Sequence, residues 1–493
     1  GKTLRSGTVL SPTEEDAVEG EDSSTYDRAL AQSVIDDAST PGTVAKISRV
    51  VSTPQSIPPP VGLNTVRLLS AGSKAMGMSP KQVMNVAEKL YGSGLISYPR
   101  TETTKYDPRG FDVRHALNEH SRHPEWGRTA GHLLRTKYRD DGRPPRRGTD
   151  RGDHPPITPL KSASREDVGG GAAWRVYDFV CRTFLGSLGD ELKFTRNVAT
   201  LDLLPGSGGG GAYGDSRWSG GTASSPHRFE MENVEVDNVG FAGACRWVLR
   251  DIGAAPAPAR TPHKGGGGGN GRTRSNNRNN DVGGIDLREG LTLPITSSRL
   301  SSLSTRPPPF LQEHELIELM DEHGIGTDAS MAAHVSNVVD RGYVVLCDET
   351  GTPLRPPSRP GGPLRPRQVG RYMVPTPLGV GLLGVFGDGG EGNATEDVAA
   401  ADGDRHPPSP ALLSRPSIRA RMESEVSQIA RGELDKDEVL SENLRWFERR
   451  YGALEEALSR NGGRGGVDEF ARSLCPTRKG LGRWRRMGAF KEQ

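Results

Sequence analysis

The residues best suited to chemistry lie in the segment GLISYPRTETTKY, residues 94–106. Arg100 and Glu102 follow Tyr98 at alternate positions. In extended backbone, side chains two residues apart lie on one face, so the phenol, guanidinium and carboxylate are predicted to point the same way. Pro99 favours extended backbone at Tyr98 and lacks an N–H donor, which places the segment at the edge or rim of a sheet.

The reaction open to the Tyr98 phenol is nucleophilic attack on a phosphate. A phenol with a pKa near 10 is ionised to only about one part in a thousand at neutral pH, so it needs a neighbour that stabilises its anion. Arg100 can do so, and its planar fork can also bind two phosphate oxygens. Tyr98 is therefore a candidate nucleophile. The alternative is an aromatic side chain that packs at the end of a strand.

A second stretch, DHPPITPLK, places His154 before two prolines that restrict it to extended geometry. A histidine held in this way can donate a hydrogen bond to a phosphate. On its own it would more often be an ordinary turn residue.

A third stretch, TRPPPFLQEHELIELMDEHGIGTDASMAAHV, spans residues 305–335. Gly324 and Gly326 permit a tight turn, and Thr327 with Asp328 is predicted to begin the following helix, whose free N–H groups can hold a phosphate. The alternative is an ordinary capped pair of helices.

Patterned elements on both sides position these residues. The Tyr98 segment follows a predicted helix that starts with a capping box at Ser79 and Gln82 and stops at Gly92. Its predicted apolar face consists of Val83, Met84, Ala87, Leu90 and Tyr91. The third stretch predicts a helix-turn-helix followed by a strand. The apolar positions of its two helices are Leu316, Ile317, Met320, Met331, Val335, Val338 and Val339.

The rest of the chain alternates ordered and low-complexity stretches. Residues 1–60 predict part of a sheet and then a proline-rich linker, and residues 172–204 predict a helix and a strand. Another amphipathic helix is predicted at residues 418–431. Gly-rich insertions at 205–225 and 263–284 lack the apolar content needed for ordering and are predicted to be disordered.

Composition argues against a protein with structural zinc and against a membrane-spanning protein. The chain has 493 residues with 33% hydrophobic and 26% charged residues, enough for two to four domains, while 64 glycines and 37 prolines indicate solvated linkers. Four widely spaced cysteines show no zinc pattern, and no apolar run reaches the roughly 20 residues of a membrane span. We therefore expect no membrane association. A net charge of +2 argues neither for nor against nucleic-acid binding.

Together the three stretches resemble, in order and spacing, the type IA DNA topoisomerases, especially topoisomerase III, over about residues 55–205 and 285–450. The resemblance implies that Tyr98 is the nucleophile, that Arg100 contacts the phosphate, and that His154 lies near Tyr98 on DNA phosphate. Threonine stands at Thr158, where the family usually has a second histidine, so only His154 takes that role. Further DNA-contacting positions implied by the match are Thr101, Glu102, Lys161, Gly324, Gly326, Thr327 and Asp328.

The resemblance also implies a multidomain α+β fold: a toroidal core with mostly helical, winged-helix or CAP-like domains and a β-rich gate domain. On this basis we expect part of the gate domain and a linker at 1–60, the tyrosine-bearing domain at 61–195, the returning gate segment at 196–260, a disordered linker at 261–284, a helical single-strand-binding domain at 285–450, and a basic flexible tail at 451–493.

Type IA enzymes also carry a Toprim domain, with a D-x-D-x-E cluster for magnesium, which is not recognisable here. The string DKDE at residues 435–438 follows an amphipathic helix and matches a family segment with no metal role, so we predict no metal site in it. We expect a truncated chain whose Mg²⁺ belongs to the absent Toprim domain. Such a chain would bind single strands weakly and cleave poorly or not at all.

The activity implied is ATP-independent cleavage, passage and religation of DNA strands in the nucleus. The implied partners are single-stranded DNA, a RecQ-type helicase and an OB-fold protein. Two alternatives stay open: a non-catalytic single-stranded DNA-binding protein that uses helix-turn-helix units, and a bacterial topoisomerase I-like relaxing enzyme. The second is less favoured because Pro99 and the H-P-P phrase suit topoisomerase III better.

Overall fold

The structure is a computed structural model that describes residues 28–204, 228–254, 287–299, 308–354, 371–386 and 415–459. The insertions predicted to be disordered lie outside these residues, as does the tail beyond residue 459. The chain divides into two compact units, one drawn from residues 1–60 and 185–305 and the other from residues 61–184 and 306–493.

The described elements mix helices with antiparallel strands, in agreement with the predicted α+β class. The helices are α1 Arg28–Ser39, α2 Thr65–Met76, α3 Pro80–Gly92, α4 Val113–His120, α5 Gly127–Arg135, α6 Gly171–Ser187, α7 Trp247–Asp251, α8 Glu313–Glu322, α9 Met331–Asp340, α10 Pro377–Phe386, α11 Pro416–Ala430 and α12 Lys436–Ser459. The strands are β1 Val44–Ile57, β2 Leu192–Leu204, β3 Arg228–Asn238, β4 Thr292–Pro294, β5 Val344–Cys347 and β6 Tyr372–Pro375.

The first unit is built on an antiparallel sheet with strand order β3-β2-β1-β4. The long β1–β2 ladder runs from the pair Val44 and Leu204 to the pair Ile57 and Leu192. Near the end of β2 the buried residues alternate, at Ala199, Leu201 and Leu203, as the period of two requires, and one core cluster joins Ile47, Ala199, Leu201 and Met231. The strands predicted in residues 1–60 and 193–204 are confirmed.

The linker predicted at the end of residues 1–60 was partly wrong, because β1 continues into its first residues as far as Ile57. A helix that was not predicted, α1, precedes the first strand. Pro54 fits inside the strand because β4 pairs only with the beginning of β1, at Val44–Lys46. Val50 lies four residues before Pro54, so the backbone nitrogens of the two residues face the same side of the strand. The N–H of Val50 points away from β2 toward Glu289. The missing donor of Pro54 therefore falls on the side of β1 where no described strand pairs.

In the second unit, α3 has the predicted capping box between Ser79 and Gln82. Four of its five predicted core residues are buried, but Tyr91 is 46% exposed, so its assignment to the core was wrong. Tyr91 is the last large side chain before Gly92 ends the helix, at the edge of the apolar face. The other predicted long helix of this region is α6.

Helices α8 and α9 and strand β5 confirm the predicted helix-turn-helix and strand. Gly324 and Gly326 have φ values of 65° and 83°, which glycine adopts without strain. The predicted start of the second helix at Thr327 was wrong. The Thr327 carbonyl accepts hydrogen bonds from the N–H groups of Ser330 and Met331 in a turn that precedes α9. Strands β5 and β6 form a two-stranded sheet after α9.

The predicted helix at residues 418–431 is α11, but Val426 on its apolar face is 61% exposed. Helix α12 continues past residue 450, into the segment expected to be a flexible tail. The DKDE string forms the start of α12, where Asp435 accepts hydrogen bonds from the N–H groups of Asp437 and Glu438. Among the described residues, no helix is both long enough and apolar enough to cross a membrane.

Candidate active site

The segment that carries Tyr98 is irregular rather than a strand. Its one β-type contact is the isolated bridge between Ile96 and Pro159, so the prediction of a regular extended strand was wrong. The alternation nevertheless holds. Tyr98 and Arg100 are half-buried and Glu102 is exposed, whereas the residues between and after them, Pro99, Thr101 and Thr103, are buried.

Side-chain hydrogen bonds to the backbone fix this irregular path. The Thr65 hydroxyl donates to the Pro99 carbonyl at 2.7 Å and accepts from the Thr101 N–H at 2.8 Å. The Thr101 hydroxyl donates to the His154 carbonyl and accepts from the Thr103 N–H. Because the segment has no regular ladder, these bonds satisfy its buried backbone groups and hold it to the start of α2 and to the H-P-P stretch.

Asp153 extends this network. Its carboxylate accepts hydrogen bonds from the Glu102 N–H at 2.6 Å and from the Thr103 hydroxyl. Burial opposes ionisation of Asp153, but these hydrogen bonds favour the anion and leave its pKa lowered. Farther along, the N–H of Ser97 donates to the Thr158 carbonyl at 2.8 Å. Thr158, at the position where the resemblance implies a second histidine, therefore supports the tyrosine segment through its backbone.

Tyr98 and His154, predicted to lie together, are in contact. The His154 ring packs edge-on against the Tyr98 ring, with 4.5 Å between ring centroids. On another side, Tyr91 packs edge-on against Tyr98 at 5.2 Å. Because His154 and Tyr91 are both exposed, the Tyr98 ring lies at the surface between two aromatic neighbours.

Arg100 bridges two parts of the site. Its Nε donates to Glu88 Oε1 at 3.0 Å, its Nη2 contacts the same oxygen, and its Nη1 donates to the Ala329 carbonyl at 3.2 Å. Ala329 belongs to the turn that contains Thr327 and Asp328. Among the described residues, the partners of the guanidinium are Glu88 and Ala329 rather than the Tyr98 hydroxyl. Stabilisation of the Tyr98 anion by Arg100 therefore stays a prediction.

Of the remaining predicted residues, Glu102 belongs to the tyrosine segment, and Asp328 and Lys161 lie beside it. Partial desolvation, followed by the charges of Asp328 and Asp153, raises the pKa of Glu102. Glu102 and Asp328, which are far apart in sequence, therefore lie close enough to repel each other. Lys161 is exposed and lies close to Gly94, the first residue of the tyrosine segment. Its Nζ is 3.9 Å from the position that a Cβ atom would occupy at Gly94.

Magnesium does not fit the described part of the site. In the described ranges, no group of three or more His, Cys, Asp or Glu side chains is arranged to hold a metal ion. Both Asp153 oxygens already accept hydrogen bonds, and Asp435 of the DKDE string caps a helix. We therefore assign no metal ligand within the described residues.

Four residues of the site were not predicted: Glu88, Tyr91, Asp153 and Thr65. Glu88 and Tyr91 had a usable signal, because they are three residues apart on a predicted helix and therefore share a face. Asp153 directly precedes His154 and could have been noticed for that reason. Thr65 had no comparable signal, since its partners lie 34 and 36 residues away in the sequence.

Comparison with known proteins agrees with the motifs. The profile of a family described as DNA topoisomerase matches residues 7–212 and 272–355, which is more than half of the chain. DNA topoisomerase 3-beta of Arabidopsis thaliana is 32% identical over 410 residues, covering 83% of this chain and 36% of the relative. Human DNA topoisomerase 3-beta-1 is 29% identical over 411 residues, with the same coverage. The chain thus spans about a third of the length of these curated relatives.

A solved structure also shares the fold. Full-length topoisomerase I from Thermotoga maritima aligns with a TM-score of 0.51 and 16% identity, covering 90% of this chain and 57% of that one. At this identity the likeness concerns the fold alone, whereas the profile match concerns the sequence. The chain therefore belongs to the DNA topoisomerase family, as its motifs predicted.

Proposed function

We propose that this chain carries the nucleophile of a type IA, topoisomerase III-like enzyme. The Tyr98 oxygen attacks a phosphodiester of single-stranded DNA and bonds to the 5′-phosphate, while the bond from phosphorus to the 3′-oxygen of the preceding nucleotide breaks. The tyrosine loses its proton, and the leaving 3′-oxygen gains one. Religation is the reverse step, in which that 3′-hydroxyl attacks the phosphotyrosine. Strand passage occurs between the two steps, without ATP.

The observation that carries this proposal is the placement of Tyr98 at the surface, edge-on to His154 at 4.5 Å, on a backbone fixed by buried threonine hydrogen bonds. A nucleophile held in one orientation reacts faster because less freedom is lost on approach. His154 can donate to a phosphate oxygen, and Arg100 adds positive charge nearby. Lys161 and the turn at Gly324–Asp328 supply further contacts to the DNA backbone.

The finer expectations belong to the same proposal. They are a toroidal core with a β-rich gate domain, a nuclear location, and partners that include a RecQ-type helicase and an OB-fold protein. Magnesium is assigned to a Toprim domain, which is not recognisable within the 493 residues. No step attributed here to Tyr98, His154 or Arg100 passes through the metal.

The test is capture of a covalent adduct. The full chain, joined to the Toprim domain of a topoisomerase 3-beta relative, is incubated with a labelled single-stranded oligonucleotide and Mg²⁺ and then denatured. We expect an adduct that survives denaturation and disappears in Tyr98→Phe. Tyr91→Phe, which changes the neighbouring exposed tyrosine, is the matched control and should retain the adduct.

A second candidate function is supported by the helix-turn-helix of α8 and α9 followed by the two-stranded sheet, an arrangement that can bind nucleic acid without cleaving it. If the fusion binds the oligonucleotide but forms no adduct, this non-catalytic function is favoured. An adduct that persists in Tyr98→Phe would show that another residue is the nucleophile.

A further inference from the structure

Helix α3 contacts the tyrosine segment at two positions. Tyr91 packs against the Tyr98 ring, and Glu88, three residues earlier on the same face, holds the Arg100 guanidinium. The adjoining face of α3 is anchored in the core by Val83 and Ala87, both fully buried. Because the capping box also fixes the start of the helix, Glu88 projects from a rigid support.

The hydrogen bonds of Arg100 leave part of its fork available. A guanidinium has five N–H donors. Nε and one donor of Nη2 are directed at Glu88, and one donor of Nη1 is directed at Ala329. Among the described residues, the second donor of each terminal nitrogen has no partner. Two donors on neighbouring nitrogens match two oxygens of one phosphate.

We propose that Glu88 is a positioning residue for Arg100, which it orients so that the two remaining donors meet a DNA phosphate beside Tyr98. The proposal rests on the proposed function, in which that phosphate is the one attacked. An exposed ion pair contributes little stability in water, and here the Arg100 and Glu88 side chains are 29% and 40% exposed. The role of Glu88 is therefore orientation rather than stability.

The opposite role is physically reasonable and makes the opposite prediction. If Glu88 competed with DNA for Arg100, its removal would free the guanidinium and increase adduct formation. The contacts favour positioning, because Glu88 takes the Nε side of the fork while the Ala329 carbonyl fixes the guanidinium from a second direction. Without Glu88, a long and flexible side chain would depend on the single bond to Ala329.

The experiment compares Glu88→Ala, Glu88→Gln and the control Glu232→Ala in the Toprim fusion. Glu232 forms a similarly exposed ion pair with Arg196, in the sheet of the other unit. We expect Glu88→Ala to slow adduct formation about tenfold or more, since small displacements of reacting groups cost up to about 100-fold. The oligonucleotide Kd should change less than about threefold, because Arg100 keeps its charge.

Glu88→Gln should recover most of the rate, because its amide oxygen accepts the same two N–H bonds. Glu232→Ala should match the wild type. The proposal is overturned if Glu88→Ala forms adduct as fast as the wild type or faster, if its loss lies entirely in Kd, or if Glu88→Gln is no better than Glu88→Ala.

A second measurement separates failure of this inference from failure of the proposed function. In the chain itself, the Nε–H NMR signal of Arg100 should shift when a single-stranded thymidine oligonucleotide is added, and this shift should be lost in Glu88→Ala. If the wild-type fusion forms no Tyr98-dependent adduct but the signal behaves this way, the proposed function fails and the positioning of Arg100 stands. A wild-type signal that ignores the oligonucleotide overturns the positioning inference.

Discussion

The sheet and the tyrosine site satisfy their backbone hydrogen bonds in different ways. In the sheet, β1 and β2 pair from end to end except at an irregularity between Ile47 and Arg49, so backbone bonds to backbone. In the site, backbone groups bond to side chains, chiefly those of Thr65, Thr101 and Asp153. A ladder tolerates many side chains of suitable polarity, whereas an irregular path depends on particular hydroxyl and carboxylate groups. Removal of a polar side-chain group should therefore lower the free energy of unfolding far more in the site than in the sheet.

The largest expected effect tests this difference directly at Thr101, whose side chain is fully buried. In Thr101→Val the shape is kept, but the His154 carbonyl and the Thr103 N–H lose a partner. Because a buried polar group left without a partner costs about 1–3 kcal/mol and the His154 carbonyl is only partly buried, we expect a loss of about 2–4 kcal/mol in the free energy of unfolding. Urea denaturation measures this value.

The matched control is Thr195→Val in β2. The Thr195 hydroxyl donates to the Asp237 carboxylate at 2.9 Å in an exposed position, where water can replace it. We expect a change within about 0.5 kcal/mol. Equal losses in the two variants would show that the site is no more dependent on its hydroxyls than the sheet is.

The same contrast explains which parts of the fold were predictable. Helix α3 and strand β2 follow from local periodicity and caps, which a short window of sequence contains. The path around Tyr98 does not, because its hydrogen bonds join residues 36 and 53 positions apart, as between Thr101 and its partners Thr65 and His154. Alternation correctly predicted which side chains face outward, but it could not distinguish a strand from an irregular segment with the same alternation.

The site itself was predicted mainly through the family resemblance. The motif match brought together Tyr98 and His154, whose contact the structure shows. It did not include Glu88, because a glutamate on a helix is usually a solvated side chain, and sharing a helix face with Tyr91 does not by itself relate it to Arg100. Tyr91 was misassigned because a five-residue apolar face is wide, and the residue at its edge, beside the helix end, need not be covered.

The second expected effect concerns acid stability. His120 is buried at the end of α4 and accepts a hydrogen bond from the Trp126 indole at 3.2 Å. Burial lowers its pKa to about 4. In the unfolded chain the pKa is about 6.5, so that state takes up the proton first and folding stability falls as pH decreases from about 6.5 to 4. We expect this residue to remove about 2–3 kcal/mol across that range.

Measuring urea denaturation at pH 7 and pH 4.5 tests this. His120→Gln should show a smaller stability loss between these pH values than the wild type. The control is His115→Gln on the same helix, where the histidine is exposed and its removal should leave the pH dependence unchanged. If His120→Gln and the wild type lose the same stability, the acid sensitivity belongs to other groups.

The smallest expected effect concerns charge, and it distinguishes the site from the sheet by function rather than stability. Glu102 adds negative charge near Asp328 and Asp153, where a DNA phosphate is proposed to bind. Glu102→Gln removes one repulsion and should tighten binding of a single-stranded oligonucleotide about two- to fivefold at pH 7, measured by fluorescence anisotropy at low salt. Since the pKa of Glu102 is raised, its carboxylate takes up a proton at a higher pH than an ordinary glutamate, so the advantage of the variant should shrink as pH falls.

Glu235→Gln makes the same charge change at an exposed position of β3 and should have no such effect. Weaker binding by Glu102→Gln would instead mean that the carboxylate accepts a hydrogen bond from the DNA, because only a favourable contact can outweigh the repulsion that the substitution removes.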